Sequence, residues 1–402
     1  MPSERRVLIW MCALTGVNQL GFGAVVPTLP LYAVAFGVSA TAIGMAIALY
    51  GLARFAVAAP SGQIADRLGR RPALALGGVL TALGNLWCAL ASSYPEFMLA
   101  RFVAGAGAGL IVTTGQIVLA DISVPERRGR VMAIHQGTFI FAVGIGPFPG
   151  GLIASHFGLA APFLACALAG VAAGLLAWFA VGETREMARL GPQGGKGRPG
   201  MIAQMRLLSG NLGFMLVCLN ALMNALSRTG GLFALMPIIG NQRLGLSIAE
   251  IGAAMAIGSL LGVFAAYPTG MIVDYFGRKW VIVLATLLSG AAMLLFCIAP
   301  NYAWFMAGSI VWGIASSVSG AAPAAYAADS APPGMNATTM SMYRMLGDIG
   351  YVAGPIILGL LADAWSAEAS MALAALLLVA IGAAFALFAP ETYSARAVRR
   401  GS

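Results

Sequence analysis

The sequence predicts an all-α membrane protein of twelve transmembrane helices, arranged as two six-helix bundles related by pseudo-two-fold symmetry. Three observations carry that prediction. Hydrophobic residues fill 60% of the 402 positions and charged residues only 9%, whereas a surface that must be covered by water carries roughly 25% charge. Apolar stretches recur at lengths of about 20 residues, enough to cross a hydrocarbon core of about 30 Å. The distinctive residues of the first half recur in the second at a single offset of 208 positions.

Only a helix satisfies its own backbone inside lipid over such lengths. The spans are read at 7–35, 42–64, 73–91, 96–119, 131–155, 161–181, 212–238, 248–272, 280–299, 303–326, 337–362 and 369–389. The first follows Arg5 and Arg6, a weak signal-peptide resemblance that eleven further spans outweigh. Most connections are tight, such as SSYP at 92–95 and APNY at 299–302. The exception is the polar, Gly- and Pro-containing stretch 183–211, read as a cytoplasmic linker between an N-terminal bundle over 1–182 and a C-terminal bundle over 212–402. Fifty-two glycines and twenty prolines fit membrane helices, where small residues permit close contact and neighbours re-satisfy freed backbone groups.

Charge placement orients the chain. Of 23 Lys and Arg residues, 18 fall on the side that holds both termini and the linker, and the opposite loops hold Arg243 alone. The positive-inside rule puts that side in the cytoplasm, as expected of a bacterial inner-membrane protein. The net charge of +9 is then a surface for anionic lipid and calls for no nucleic-acid partner. The five cysteines lie within spans without metal-ligand spacing, as small packing residues. No hydrolytic triad, phosphate-binding loop or zinc cluster is present in the sequence, so neither enzyme activity nor a cofactor or metal is expected.

The repeat aligns Gly62, Asp66, Gly69, Arg70 and Arg71 with Gly270, Asp274, Gly277, Arg278 and Lys279; Asp121 falls on Asp329 and Glu183-Thr184 on Glu391-Thr392. An offset that covers six spans gives both halves one orientation, related by an axis along the membrane normal, with a central cavity expected between them.

These repeated segments resemble the signatures of a known family. GQIADRLGRR (62–71) resembles the loop between the second and third helices of the major facilitator superfamily, and GMIVDYFGRK (270–279) its second-half copy. RFVAGAGAG (101–109) looks like the fourth-helix signature, GIGPFPGG (144–151) resembles the fifth-helix signature of proton antiporters, and NQLGFGAVVPTLP (18–30) is similar to the first helix of tetracycline and multidrug exporters in the drug/proton antiporter branch. The resemblance implies a monomeric exporter that exchanges a small amphiphilic molecule for protons by alternating access. A nutrient symporter or uniporter, and a non-transporting receptor or scaffold, are the alternatives. Many such exporters carry an acid where this chain has Asn18, and an amide cannot carry a proton.

The resemblance also assigns roles. A gate is expected at Gly62, Asp66, Arg67, Gly69, Arg70 and Arg71, with Asp121, Asp274 and Arg278. Gly62 would let backbones approach, Asp66 would accept N–H groups at the start of the eleventh helix, and Arg70 would bridge Asp66 and Asp121. Gly144, Gly146, Gly150 and Gly151, with Pro147 and Pro149, leave one face of the fifth helix nearly bare for tight packing.

Arg54, Arg101, Arg228, Arg344 and Asp348 lie deep within spans, where ionisable groups are costly and face a partner or a wet cavity. Arg344 and Asp348 share one helix face, Arg101 and Arg54 are alternative partners, and Asp348 is the leading proton carrier. His135 and His156 are read as a packing residue and a loop residue. Asn18, Gln19, Gln116, Gln136, Asn220 and Asn224 offer uncharged hydrogen-bonding groups to a cavity, and Phe22, Tyr32, Tyr50, Phe141, Phe233 and Tyr351 offer aromatic lining. Four arginines against one aspartate favour a neutral, zwitterionic or anionic substrate over a cation.

Overall fold

The computed structural model describes residues 4–123, 125–184, 206–331 and 336–392. Within these, twelve helical segments are long and apolar enough to cross a bilayer. The elements are α1 (Glu4–Val25), α2 (Leu29–Val34), α3 (Ala40–Leu68), α4 (Arg70–Leu90), α5 (Tyr94–Ile122), α6 (Pro125–Ile145), α7 (Pro147–Phe157) and α8 (Ala161–Phe179). They continue with α9 (Leu212–Leu226), a π-helical segment (Ser227–Leu235), α10 (Met236–Gln242), α11 (Ile248–Phe276), α12 (Arg278–Ile298), α13 (Tyr302–Asp329), α14 (Asn336–Ala364) and α15 (Ala367–Phe388). Most of the linker expected at 183–211 lies outside the described residues.

Three predicted spans are interrupted, each for a local reason. The first turns at 26–28, between α1 and α2, where Pro27 and Pro30 remove backbone donors. The fifth breaks between α6 and α7 at Gly146, ahead of Pro147. The seventh runs on to Gln242 and widens into a π-helix across Gly230 and Gly231. Pro237, just beyond it, would press its ring on the carbonyl four residues back in an ordinary α-helix, and the wider turn relieves that clash.

The chain forms two compact units. Unit 1 comprises Met1–Val38, Met45–Gly194 and Ser247–Ala256; unit 2 comprises Ser39–Gly44, Gly195–Leu246 and Ile257–Ser402. In unit 1, α4 packs on α5 and α8, and α1 on α6 and α8. In unit 2, α12 packs on α13 and α15, and α9 on α14 and α15. The two pairing schemes correspond under the 208-residue offset, so the repeat is one of packing as well as of residues.

Each unit has its own apolar core: Val7, Met11, Leu14, Leu74 and Ile111 in unit 1, and Phe214, Val217, Ile282, Tyr326 and Phe385 in unit 2. Glycines let these helices meet backbone to backbone; a Cβ on Gly107 of α5 would stand 2.4 Å from the Thr81 nitrogen of α4. Exposed side chains such as Phe157, Phe179 and Leu387 are as apolar as the core, as a surface solvated by lipid requires.

Candidate functional site

The segment expected to be a loop at 62–71 is almost entirely helical. α3 continues through Asp66 and Arg67 to Leu68, and α4 begins at Arg70, so Gly69 alone makes the junction. It does so at φ 103° and ψ 159°, a conformation essentially restricted to glycine. Gly277 makes the matching junction between α11 and α12 at φ 95° and ψ 171°. A Cβ at Gly62 would meet nothing within 4 Å among the described residues.

The single-residue junction aims Arg70 into a cluster of acids. Its Nη1 donates to Asp66 Oδ1 at 2.6 Å and to the Ala65 carbonyl at 3.1 Å, and its Nε donates to Asp121 Oδ2 at 3.0 Å. Thr184 Oγ1 also donates to Asp121, at 3.3 Å. Arg70 and Asp121 are sequestered, with side-chain exposures of 5% and 10%, whereas Asp66 is 69% exposed and can reach other partners. Arg71 lies over the Trp178 ring, 4.7 Å from its centroid, and Arg67 is exposed. In unit 2, Arg278 pairs with Asp329 and donates to the Ala325 carbonyl at 2.8 Å. The side chain of Asp274 lies outside the described residues.

Two residues that sequence reasoning left without a role complete these clusters. Glu183 accepts from the backbone nitrogens of Arg70 at 3.0 Å and Arg71 at 3.2 Å, and so caps the N-terminus of α4 from 113 and 112 positions away. Glu391 does the same for Arg278 at 2.9 Å and Lys279 at 3.1 Å. Their signal was present in the repeat, which aligns Glu183 with Glu391. Losing such a cap costs about 1 kcal/mol. Glu183→Ala and Glu391→Ala are each expected to lower the thermal midpoint of detergent-purified protein by about 2–4 °C, additively because they cap different helices. Unchanged midpoints would leave these glutamates without a capping role.

The bare face of the fifth span has its partner in the first. A Cβ on Gly146 would fall 2.6 Å from the Gly23 Cα, and one on Gly150 would fall 2.1 Å from the Ala24 carbonyl oxygen. Gly151 meets Ile248, with 2.6 Å to that carbonyl, in the part of α11 that belongs to unit 1. Gly144 and Pro147 are buried as well. The glycines therefore allow main-chain contact, which leaves no room for water between these segments.

The embedded charges divide by unit. Arg101 is 2% exposed; its Nε donates to the Ala46 carbonyl at 3.3 Å and its guanidinium lies 4.3 Å from the Tyr50 ring centroid. Phe22 stacks on Tyr50, with ring centroids 5.2 Å apart. Arg54 is half-buried where α3 crosses Gly109 of α5. In unit 2 the arrangement differs. Arg344 and Asp348 are exposed, one turn apart on α14, and Tyr351 is half-buried on the same flank. Arg228 is exposed in the π-helical segment, which packs on α14, and lies within electrostatic reach of Tyr343 beside Arg344.

The expected polar lining is sorted the same way. Gln136 and Phe141 are exposed, and Gln116 and Asn224 are half-buried. Asn18, Gln19 and Asn220 are only 2%, 3% and 2% exposed, so they sit inside their bundles instead of on an open surface. Asn18 donates to Gln19 at 3.1 Å, and Asn220 accepts from Thr286 Oγ1 at 2.9 Å and from Asn224 at 3.2 Å. The buried Oδ1 of Asn18 has no hydrogen-bond partner among the described residues. His135 is also buried, 2.8 Å from Thr15 Oγ1.

Residues 11–264 and 214–402 match the Major Facilitator Superfamily. The chain is 25% identical over 358 residues to the quinolone resistance protein NorA of Staphylococcus aureus, covering 86% of this chain and 87% of that protein. It is 24% identical over 298 residues to the multidrug resistance protein MdtL of Escherichia coli, covering 74% of each. Among solved structures, an inward-facing, unoccupied bacterial homologue of the human lysosomal transporter Spinster matches with a TM-score of 0.79 at 17% identity, over 96% of both chains. The duplicated helix pairs, the paired Gly69 and Gly277 junctions and the family match lead to one conclusion: this chain belongs to the major facilitator superfamily, as a multi-pass transporter of a small molecule across a lipid membrane.

Proposed function

We propose that the protein is a proton-coupled antiporter that expels a small amphiphilic molecule from a bacterial cell by alternating access, working as a monomer in the inner membrane with both termini in the cytoplasm. The observation that carries this reading is the exposure of Arg228, Arg344 and Asp348 within spans of unit 2. A charged side chain turned to lipid at that depth costs about 2.5–3.5 kcal/mol on insertion scales. Three such groups on adjoining segments therefore belong to a hydrated surface. Two guanidinium groups against one carboxylate favour a neutral, zwitterionic or anionic ligand and oppose a cation.

Asp348 is the group on that surface able to exchange a proton, and Arg344 one turn away responds to its charge. Asn18 cannot take that part. The expected latch of Asp66 on the eleventh helix is supported by the exposure of its carboxylate beside the otherwise sequestered Arg70 cluster. The naming of NorA and MdtL for drug resistance supports drug-like cargo, and the anti-leak role of the fifth span is supported by its dry glycine seam.

The test is flux in sealed vesicles holding purified protein, with a pH gradient imposed and a fluorescent anionic or cationic amphiphile of equal size supplied. Gradient-driven uptake of the anion, with protons released in exchange, is the expected result. Tight cation binding without anion binding would defeat the substrate preference, and substrate-driven proton movement in the same direction would replace antiport by symport.

A further inference from the structure

We infer that Arg71 and Trp178 form a headgroup site for an anionic phospholipid, at the edge of unit 1 where α4 begins and α8 ends. Arg70 and Arg71 are neighbours in the chain with different surroundings. Arg70 is buried among Asp66, Asp121 and the Ala65 carbonyl. Arg71 is half-buried, its guanidinium lies 4.7 Å from the Trp178 ring centroid, and its Nε has no hydrogen-bond partner among the described residues. Glu183 meets Arg71 through the backbone nitrogen, at 3.2 Å. Stacking occupies the face of a guanidinium and leaves its N–H edge for a bidentate partner, which a phosphate group fits in both charge and shape.

The setting suits a lipid better than a soluble anion. Trp178 and Phe179 are exposed in the last turn of α8, and tryptophan gathers where hydrocarbon meets headgroups. Arg71, Ala75 and Val79 follow one another by single turns along one flank of α4, and Trp178, Leu175 and Val171 share a flank of α8. Small residues join the two flanks: a Cβ on Gly78 would fall 2.5 Å from the Gly174 Cα, and one on Gly174 would lie 3.5 Å from the Ala75 carbonyl oxygen. Val79, Val171 and Leu175 are exposed beside that seam. Small residues between exposed apolar ones make a furrow leading from the guanidinium along the lipid-facing surface, the course of an acyl chain beneath its phosphate.

The same corner recurs in unit 2. The 208-residue offset puts Lys279 at the position of Arg71, and Lys279 Nζ lies 5.5 Å from the ring centroid of the exposed Trp280. The offset puts Ala386 opposite Trp178 and Pro72 opposite Trp280, so the second ring is not a copy of the first. A cation on an aromatic plate is therefore assembled twice, from different helix positions. The inference is independent of the cargo and coupling proposed above.

The test is native mass spectrometry of the full chain in detergent, titrated with dioleoyl phosphatidylglycerol or with dioleoyl phosphatidylcholine. Wild type is expected to bind its first phosphatidylglycerol about tenfold more tightly than phosphatidylcholine, the factor of a charge-assisted hydrogen bond. Arg71→Ala should lose that preference, while Arg206→Ala, which removes the same charge from another exposed position, should keep it. Trp178→Leu should weaken phosphatidylglycerol binding by about two- to fivefold, the factor of an exposed cation–π contact, and serves if Arg71→Ala does not fold. Excess inorganic phosphate should leave the lipid bound. Equal losses in Arg71→Ala and Arg206→Ala would overturn the inference in favour of a diffuse basic surface, and displacement by inorganic phosphate would replace the lipid by a free anion. A folded variant of Arg71 or Trp178 with wild-type lipid preference would also overturn it.

Discussion

Asp348→Asn is expected to lower pH-gradient-driven flux by at least about tenfold while leaving gradient-independent counterflow near the wild-type rate. The substitution keeps the shape and the hydrogen-bonding atoms of the side chain but removes its ability to bind and release a proton. Asp348 lies near the middle of α14, on the exposed flank it shares with Arg344. Losing the proton should therefore uncouple the cycle without disturbing the bundle, since the amide keeps the shape of the carboxylate. Parallel assays of uptake under a gradient and of exchange at equal pH check the split. Full gradient-driven uptake in the variant would move proton carriage elsewhere, and loss of both activities would mark Asp348 as a substrate contact.

Arg70→Ala carries the largest expected cost in stability. Arg70 is 4% exposed and serves Asp66, Asp121 and the Ala65 carbonyl at once. Its removal strands the sequestered Asp121 carboxylate, and breaking a buried pair from one side costs about 3–5 kcal/mol. Thermal unfolding and size-exclusion profiles in detergent should show a lower midpoint and a smaller monodisperse fraction. Arg70→Lys should recover only part, because a point ammonium cannot reproduce the planar fork of donors. Adding Asp121→Asn to Arg70→Ala should recover more, by removing the stranded charge. Wild-type stability in Arg70→Ala would mean that the cluster is hydrated and contributes little.

How far these sites were legible differs residue by residue. The bridge from Arg70 to Asp66 and Asp121 was expected from the resemblance, although Gly69 places Asp66 and Arg70 on separate helices. The double cap by Glu183 was not, because its partners stand more than a hundred positions away and no local pattern relates them. The repeat nonetheless held its trace in Glu391. The π-helical segment was hidden for another reason: Gly230, Gly231 and Pro237 each look ordinary in a membrane helix, and their combined effect depends on the register of the turn. The polar residues were hardest to sort. Asn18 and Asn220 differ little from Asn224 in sequence context, yet the first two are buried and the third is half-buried.

Span number, the duplication and the family were settled by the linear chain, because lipid leaves the backbone only one way to satisfy itself and helix length follows from counting residues. Which polar side chains turn inward and which carboxylate caps a distant helix were settled only by packing. An apolar span has no strongly favoured face of its own, so each polar group takes the orientation that its neighbours, far away along the chain, make least costly.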